Sequence, residues 1–281
     1  MTGKSALQAL FLAILLCSSA GNPAGAGSAP IPPGEPEAKE ALSRSPRHHE
    51  WVGIAVPGRK TPVTAFVAYP ERKTKAPVVI VIHEVYGLSD WIRGVADRLA
   101  AEGFLAIAPD FLSGRGPGGK GTGGFPSRDD VVKAVRGLED GEVTAMIDAA
   151  GRYGRSLPAA GEKLATVGFC WGGGKSFRYA AMRPDLDAAV VYYGTSPDPE
   201  TLKKIRAPVL GLYGGDDARV NETVGPAAER MKELGRTFDT HTYPGAGHGF
   251  LRAQEGREVA NLAASRKAWP ATIDFLTRYL E

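Results

Sequence analysis

From Trp51 onward, hydrophobic and polar positions follow two alternating patterns. Short, continuous apolar runs rich in β-branched residues are typical of strands buried on both faces. Between them lie stretches with apolar residues at helical spacing, several of them ended by glycine. The predicted strands cover 63–70, 76–84, 104–110, 163–169, 187–194, 208–215 and 238–244, and the predicted helices cover 89–102, 128–150, 173–183, 224–235 and 261–281.

The alternation of strands and helices predicts the fold class. Chains of this kind form a mostly parallel central sheet with helices packed on both faces. We therefore predict one α/β domain over 49–281. Ligands bind such sheets beyond the carboxyl ends of the strands, so the residues just after each predicted strand are the candidates for a functional site.

The first twenty residues have the composition of a secretory signal peptide. Lys4 precedes an apolar run, and small residues follow up to Ala20, which predicts cleavage after Ala20. The apolar run is too short for a comfortable membrane span. A lipoprotein would use Cys17, but Leu16 stands where a small residue is preferred, so plain secretion is favoured.

Residues 21–48 are rich in proline, glycine and alanine and nearly free of large apolar side chains. This composition predicts a flexible leader over 21–48. With the signal removed, we expect a periplasmic or secreted protein without a membrane span. Cys170 is then the only cysteine, and it has no partner for an internal disulfide.

Charge and motif content exclude several classes of partner. The formal net charge is only +3, and no long run of lysine or arginine is present, so we expect no nucleic-acid partner. The chain contains neither an H-E-x-x-H nor a C-x-x-C motif, so we expect no metal and no cofactor. A small molecule is the expected ligand.

The segment Gly168-Phe169-Cys170-Trp171-Gly172 joins a predicted strand to a predicted helix. It fits the nucleophile-elbow pattern, with cysteine in place of serine. The sharp turn requires the flanking glycines, and the N-terminus of the following helix favours a thiolate or an oxyanion. On this pattern alone, a buried structural cysteine remains an alternative. A redox sensor is a weaker one, because no resolving cysteine is present.

An acid and a histidine follow two later strands. Asp216 and Asp217 come after the strand 208–215, and His248 follows the last strand. Each could be an ordinary loop residue. Together with Cys170 they give the chain order nucleophile, acid, histidine, which is the order of α/β-hydrolases.

Glu84 ends the buried strand 76–84 and faces the same predicted crevice. In α/β-hydrolases the loop at this place donates one oxyanion-hole N–H group, and the residue after the nucleophile donates the other. This predicts the backbone N–H groups of Val85 and Trp171 for that role. From spacing alone, Glu84 could equally be an anchor of the loop.

These motifs together resemble the dienelactone hydrolase (carboxymethylenebutenolidase) family of α/β-hydrolases, over roughly residues 50–281. The resemblance implies the α/β-hydrolase fold and a triad of Cys170, Asp217 and His248. Asp217 is favoured over Asp216 because it fits the family spacing G-x-x-D-x-x-V. The segments that carry the resemblance are PVVIVIHEVYGLSDWIRGVADRLAAEGFLAIAPD, GFCWGG, GGDDARV and YPGAGHGF.

The resemblance also implies roles for charged side chains near the triad. In that family the glutamate equivalent to Glu84 keeps the resting thiol neutral and takes its proton when substrate binds. Two arginines bind the substrate carboxylate, and Arg252 in HGFLR matches one of them. The second position stays open between Arg115 and Arg128.

The resulting functional prediction is a hydrolase of small esters or lactones that forms a thioester intermediate on Cys170. A thioesterase or a peptidase on the same triad is an alternative. A catalytically retired periplasmic binding protein is another, although such a protein has no reason to keep Cys170, Asp217, His248 and Glu84 together.

Overall fold

An eight-stranded sheet runs through the computed structural model, which describes residues 30–281. Its order is β1-β2-β4-β3-β5-β6-β7-β8, where the strands are β1 (His49–Ile54), β2 (Val63–Ala68), β3 (Ala76–Ile82), β4 (Leu105–Pro109), β5 (Ala160–Phe169), β6 (Ala188–Tyr192), β7 (Val209–Gly214) and β8 (Phe238–Tyr243). β2 runs antiparallel to both of its neighbours, and the other pairs are parallel.

Helices cover both faces of this sheet. They are α1 (Ala38–Ser43), α2 (Asp90–Ala101), α3 (Arg128–Arg136), α4 (Asp140–Ser156), α5 (Trp171–Met182), α6 (Pro199–Leu202), α7 (Ala218–Glu233) and α8 (Ala260–Leu280). Apolar residues of α2 and α8 pack on one face, and those of α4, α5 and α7 pack on the other.

β3 shows why the sheet has two cores. All seven of its residues are buried. Ile80 and Ile82 contribute to one apolar cluster, while Val79 and Val81 contribute to the other. Successive side chains of a strand point to opposite faces, so a strand between two helical layers must be apolar at every position. The predicted mostly parallel α/β fold is confirmed.

The structure differs from the predicted helices at two places. The predicted helix 128–150 is two helices, α3 and α4, which are separated at 137–139. α7 begins at Ala218, six positions before the predicted start at 224. β1 lies at the sheet edge with only one of its six positions buried, so it has no continuous apolar run to reveal it.

The structure also differs from the flexible leader predicted for 21–48. Within its second part, residues 30–48, helix α1 packs on α2. Ala38 is fully buried, and Ile31 and Leu42 pack against the same apolar cluster as α2. A few apolar side chains, spaced along a polar segment, are enough to hold it on the domain.

The predicted signal peptide at 1–20 and the first part of the leader lie outside the described residues. Within residues 30–281, none of the helices combines the length and the apolar character that a membrane span requires.

Candidate active site

Cys170 lies at the sharp turn between β5 and α5. Its backbone has φ 55° and ψ −115°, and positive φ is strained for any residue with a Cβ. The turn is held by a hydrogen bond from the Cys170 N–H to the Tyr192 carbonyl, at 3.0 Å. A Cβ on Gly172 would overlap the carbonyl oxygens of Ile82 and His83. The glycines thus allow α5 to approach β3 closely, as the elbow pattern predicts.

The thiol of Cys170 is half-buried and lies against two backbone donors. The N–H groups of Trp171 and Val85 lie near enough to lower the pKa of the thiol, against larger effects in the other direction. Burial, followed by the negative charge of Glu84, raises the pKa of the Cys170 thiol to about 11. The two N–H groups predicted for an oxyanion hole therefore converge on the sulfur.

Asp217 and His248 form a tight pair, with 2.5 Å between Asp217 Oδ2 and His248 Nδ1. Asp217 caps the N-terminus of α7 just after β7 and is buried, and His248 is in the loop after β8. Asp216, the alternative acid, is about half exposed and pairs with Arg257 at 2.9 Å. The pair fixes which imidazole nitrogen carries the proton and leaves Nε2 for proton exchange. Among the described residues, no hydrogen bond joins His248 to the Cys170 thiol.

Glu84 is buried at the end of β3, with 3% of its surface exposed. Its Oε2 lies 2.8 Å from Nε of Arg252. Burial raises the pKa of the Glu84 carboxyl to about 7, with a further contribution from the charge of Glu35 and an opposing one from Arg252. A carboxyl with this pKa can accept a proton near neutral pH.

Comparisons with known proteins agree with the fold. A model of the dienelactone hydrolase family matches residues 63–280, most of the chain.

The chain belongs to the dienelactone hydrolase family.

A Yersinia pestis protein, provisionally named a carboxymethylenebutenolidase, is 30% identical over 237 residues, which are 80% of this chain and 86% of the relative. A protein of the same provisional name from Saccharolobus solfataricus is 31% identical over 247 residues, covering 77% and 94% of the two chains. A solved structure from Klebsiella pneumoniae, provisionally assigned as a dienelactone hydrolase, has a TM-score of 0.71 and 29% identity, and the match covers 83% of this chain and 99% of that one. The chain is thus an enzyme of the carboxymethylenebutenolidase type, as its motifs predict.

Arg252, the residue predicted to bind substrate, is engaged within the protein. Its guanidinium lies between two carboxylates, those of Glu84 and Glu35. Arg128 lies 3.1 Å from the other oxygen of Glu35, while Arg115 pairs with Glu142. Of the two candidates for a second arginine of this dienelactone hydrolase, Arg128 is the one that joins Arg252.

A cavity of about 530 Å³ opens above the thiol. Besides Val85, Cys170, Trp171 and the neutral residues Gly174, Tyr193 and Thr195, it is lined by four cationic side chains and one carboxylate; these are Arg136, Lys175, Arg178, Arg219 and Asp140. The cavity has the volume expected for a small-molecule site. Arg219 is near enough for its charge to lower the pKa of the Cys170 thiol, against the larger effects of burial and Glu84.

Two residues of this site were not predicted from the sequence. Tyr193, just after β6, has φ 39° and is fully buried, and its ring centroid is 5.2 Å from that of His248. Its hydroxyl has no hydrogen-bond partner within residues 30–281. Tyr193 lies at the end of a predicted strand, where ligands bind sheets of this kind, so its position in the sequence could have marked it as a candidate site residue. Glu35 belongs to the segment predicted as a leader and had no such signal.

Proposed function

We propose that this dienelactone hydrolase relative cleaves small esters or lactones through a thioester on Cys170. The observation that carries the proposal is the environment of the sulfur. It lies at the end of β5, against the N–H groups of Val85 and Trp171, and beside the buried carboxyl of Glu84. Backbone donors beside a nucleophile can stabilise an oxyanion, and a nearby carboxyl can accept the thiol proton.

In the proposed cycle, substrate binding transfers the thiol proton of Cys170 to Glu84. The thiolate then attacks the acyl carbon, and the developing oxyanion accepts hydrogen bonds from the N–H groups of Val85 and Trp171. Collapse of this intermediate breaks the acyl–oxygen bond and expels an enolate, or an alcohol that takes the proton held by Glu84. The acyl group remains on sulfur as a thioester.

Hydrolysis of the thioester uses the Asp217–His248 pair. Nε2 of His248 takes a proton from water as the oxygen attacks the acyl carbon, and the Asp217 carboxylate stabilises the imidazolium that forms. The carbon–sulfur bond breaks, and proton return restores the neutral thiol and releases the carboxylic acid. The raised pKa values of Cys170 and Glu84 support a resting state with a protonated thiol.

Intact-mass spectrometry tests the proposal. Wild-type protein mixed rapidly with a 4-nitrophenyl ester should gain the mass of one acyl group, and hydroxylamine should remove it. Cys170→Ala should neither gain this mass nor release nitrophenol above the background rate. Full esterase activity of Cys170→Ala would contradict the proposal. Lactone, thioester and peptide substrates, tested in parallel, separate an esterase from a thioesterase or peptidase on the same triad.

We also propose that the protein is exported and that its signal peptide is removed after Ala20. The support is the composition of residues 1–20. Expression of the full chain in a bacterial host, followed by fractionation and N-terminal sequencing, should recover a periplasmic protein that begins at Gly21. A cytoplasmic protein that retains residues 1–20 would contradict export.

A further inference from the structure

The N-terminal segment places a carboxylate beside the candidate active site. The Glu35 N–H donates a hydrogen bond to the Arg252 carbonyl at 2.9 Å. Three residues earlier, the Pro32 carbonyl accepts one from Nε2 of Gln254, also at 2.9 Å. These bonds fix residues 32–35 along the loop that follows His248, and helix α1 continues the segment onto α2.

The side chain of Glu35 joins two arginines. Its Oε2 pairs with Nη1 of Arg252, and its Oε1 lies 3.1 Å from Nη2 of Arg128. The Tyr86 ring packs against both guanidinium groups, which lie 3.6 Å (Arg128) and 5.0 Å (Arg252) from its centroid. Two arginines on an aromatic ring form a carboxylate site, and here the carboxylate belongs to the chain itself.

This carboxylate site adjoins the reacting sulfur. Arg252 connects it to Glu84, and the charge of Glu84 acts directly on the Cys170 thiol. Without Glu35, the two arginines would face the buried Glu84 alone and carry a net positive charge. An anionic substrate would then find two unoccupied guanidinium groups next to the nucleophile.

We propose that Glu35 is a specificity-determining residue that fills the carboxylate site of Arg128 and Arg252, so that the enzyme favours esters or lactones with no carboxylate at that position. The inference rests on the proposed function and adds the substrate class. A substrate carboxylate must displace Glu35 to reach the arginines, whereas a neutral group need not.

A matched pair of esters tests this selectivity. 4-Nitrophenyl hydrogen glutarate carries a free carboxylate, and its methyl ester has the same reacting carbonyl without that charge. Glu35→Gln should raise the ratio of kcat/KM for the anionic ester over the neutral ester at least about tenfold, chiefly through a lower KM for the anionic ester. Glu37→Gln is the matched control, because exposed Glu37 lies in the same segment and has no salt bridge among the described residues. It should leave the ratio unchanged.

Binding of glutarate, measured by titration calorimetry, gives a readout that needs no turnover. Glu35→Gln should bind glutarate at least about tenfold more tightly than wild type. Adding Arg128→Gln to Glu35→Gln should remove this gain, because one of the two arginines is lost. If Glu35→Gln folds with its segment detached from the domain, the arginines are still freed and the same gain is expected.

The outcomes distinguish the two proposals. An unchanged ester ratio and an unchanged glutarate affinity, in protein that hydrolyses the neutral ester, would overturn the role of Glu35 and leave the proposed function intact. No turnover of either ester by any variant, with the expected gain in glutarate affinity, would overturn the proposed function and support exclusion of carboxylates by Glu35.

Discussion

Two regions meet at the Cys170 thiol, and different forces hold them in place. The elbow, residues 168–172, is held by close backbone packing and a backbone hydrogen bond, which together maintain the strained φ angle of Cys170. The ion-pair chain, which runs Arg128–Glu35–Arg252–Glu84, is held by charge. The elbow comes from five consecutive residues. The ion-pair chain draws each member from a different part of the sequence, and Glu35 and Arg252 are 217 positions apart.

The two regions control different properties of the site: the location of the sulfur and the pKa of its thiol. Steric overlap does not depend on pH or salt, so the elbow sets where the sulfur lies under all conditions in which the protein folds. The ion-pair chain responds to protonation, and through the charge of Glu84 it adds to the effect of burial on how readily the sulfur loses its proton. Position and reactivity of the nucleophile therefore have separate structural origins.

Removal of the His248 imidazole tests whether a correctly placed sulfur is enough for turnover without a group that accepts the proton of water. His248→Ala leaves the elbow and the ion-pair chain in place but removes the imidazole that we propose activates water. We expect kcat for ester hydrolysis to fall by about 10⁴, with an acyl-enzyme mass that accumulates instead of turning over. His241→Ala, on β8 and accessible, is the control and should retain full activity. Near-normal turnover by His248→Ala would remove His248 from the mechanism.

Adding a methyl group at Gly172 tests whether close backbone packing holds the elbow in place. In Gly172→Ala the added Cβ meets the backbone oxygens of Ile82 and His83, which cannot move without disturbing β3. We expect the free energy of unfolding to fall by about 3 kcal/mol, measured in urea.

Gly141→Ala provides the contrast, because a Cβ there meets open space on α4. This change should raise the free energy of unfolding by up to about 1 kcal/mol through helix propensity. Equal effects of the two substitutions would contradict a tightly packed elbow.

Burial of the Glu84 carboxyl should give the protein a pH-dependent stability. The pKa of Glu84 is raised to about 7 in the folded protein from an ordinary value of 4.5, so the native state holds this proton more tightly than the unfolded chain. Its contribution is fully present below pH 4.5 and is lost as pH rises through 7, by roughly 3 kcal/mol. Glu84→Gln should lack this decline in urea titrations between pH 4.5 and 7. Parallel pH curves for the two proteins would refute it.

Changing the charges near the sulfur should alter the pKa of the Cys170 thiol, and this is the smallest of the effects that we expect. The charge of Glu84 contributes to the raised pKa of Cys170, second to burial. Glu84→Gln should therefore lower that pKa by roughly 1 unit, seen as faster alkylation by iodoacetamide between pH 8 and 10. Arg219→Gln should move the pKa in the opposite direction, because the cation at 219 lowers it. A shift of the same sign in both variants would show that charge is not the cause.

The elbow could be predicted from the sequence because its requirements are local. A buried strand, two glycines and a cysteine stand side by side, and the sheet then brings the ends of β7 and β8 to the same edge. Asp217 and His248 follow those two strands, so the chain order of the triad was visible as well.

The ion-pair chain could not be predicted in the same way. Glu35 lies in a stretch whose proline and glycine content resembles a linker, and only the folded domain shows what it contacts. The same is true of Arg128, which was one of two equivalent candidates until the structure brought it to Glu35. Pairing between distant charges leaves no periodic pattern in the sequence.

The protonated state of the resting thiol also affects how long each enzyme molecule lasts. With a pKa of about 11, about one molecule in 10,000 carries a thiolate at pH 7, and the thiolate is the form that peroxide attacks. Idle enzyme is thereby shielded from oxidation to sulfinic acid, a lesion that would end its working life. Burial of the sulfur, together with the charge of Glu84, thus protects the Cys170 thiol from oxidation between substrates.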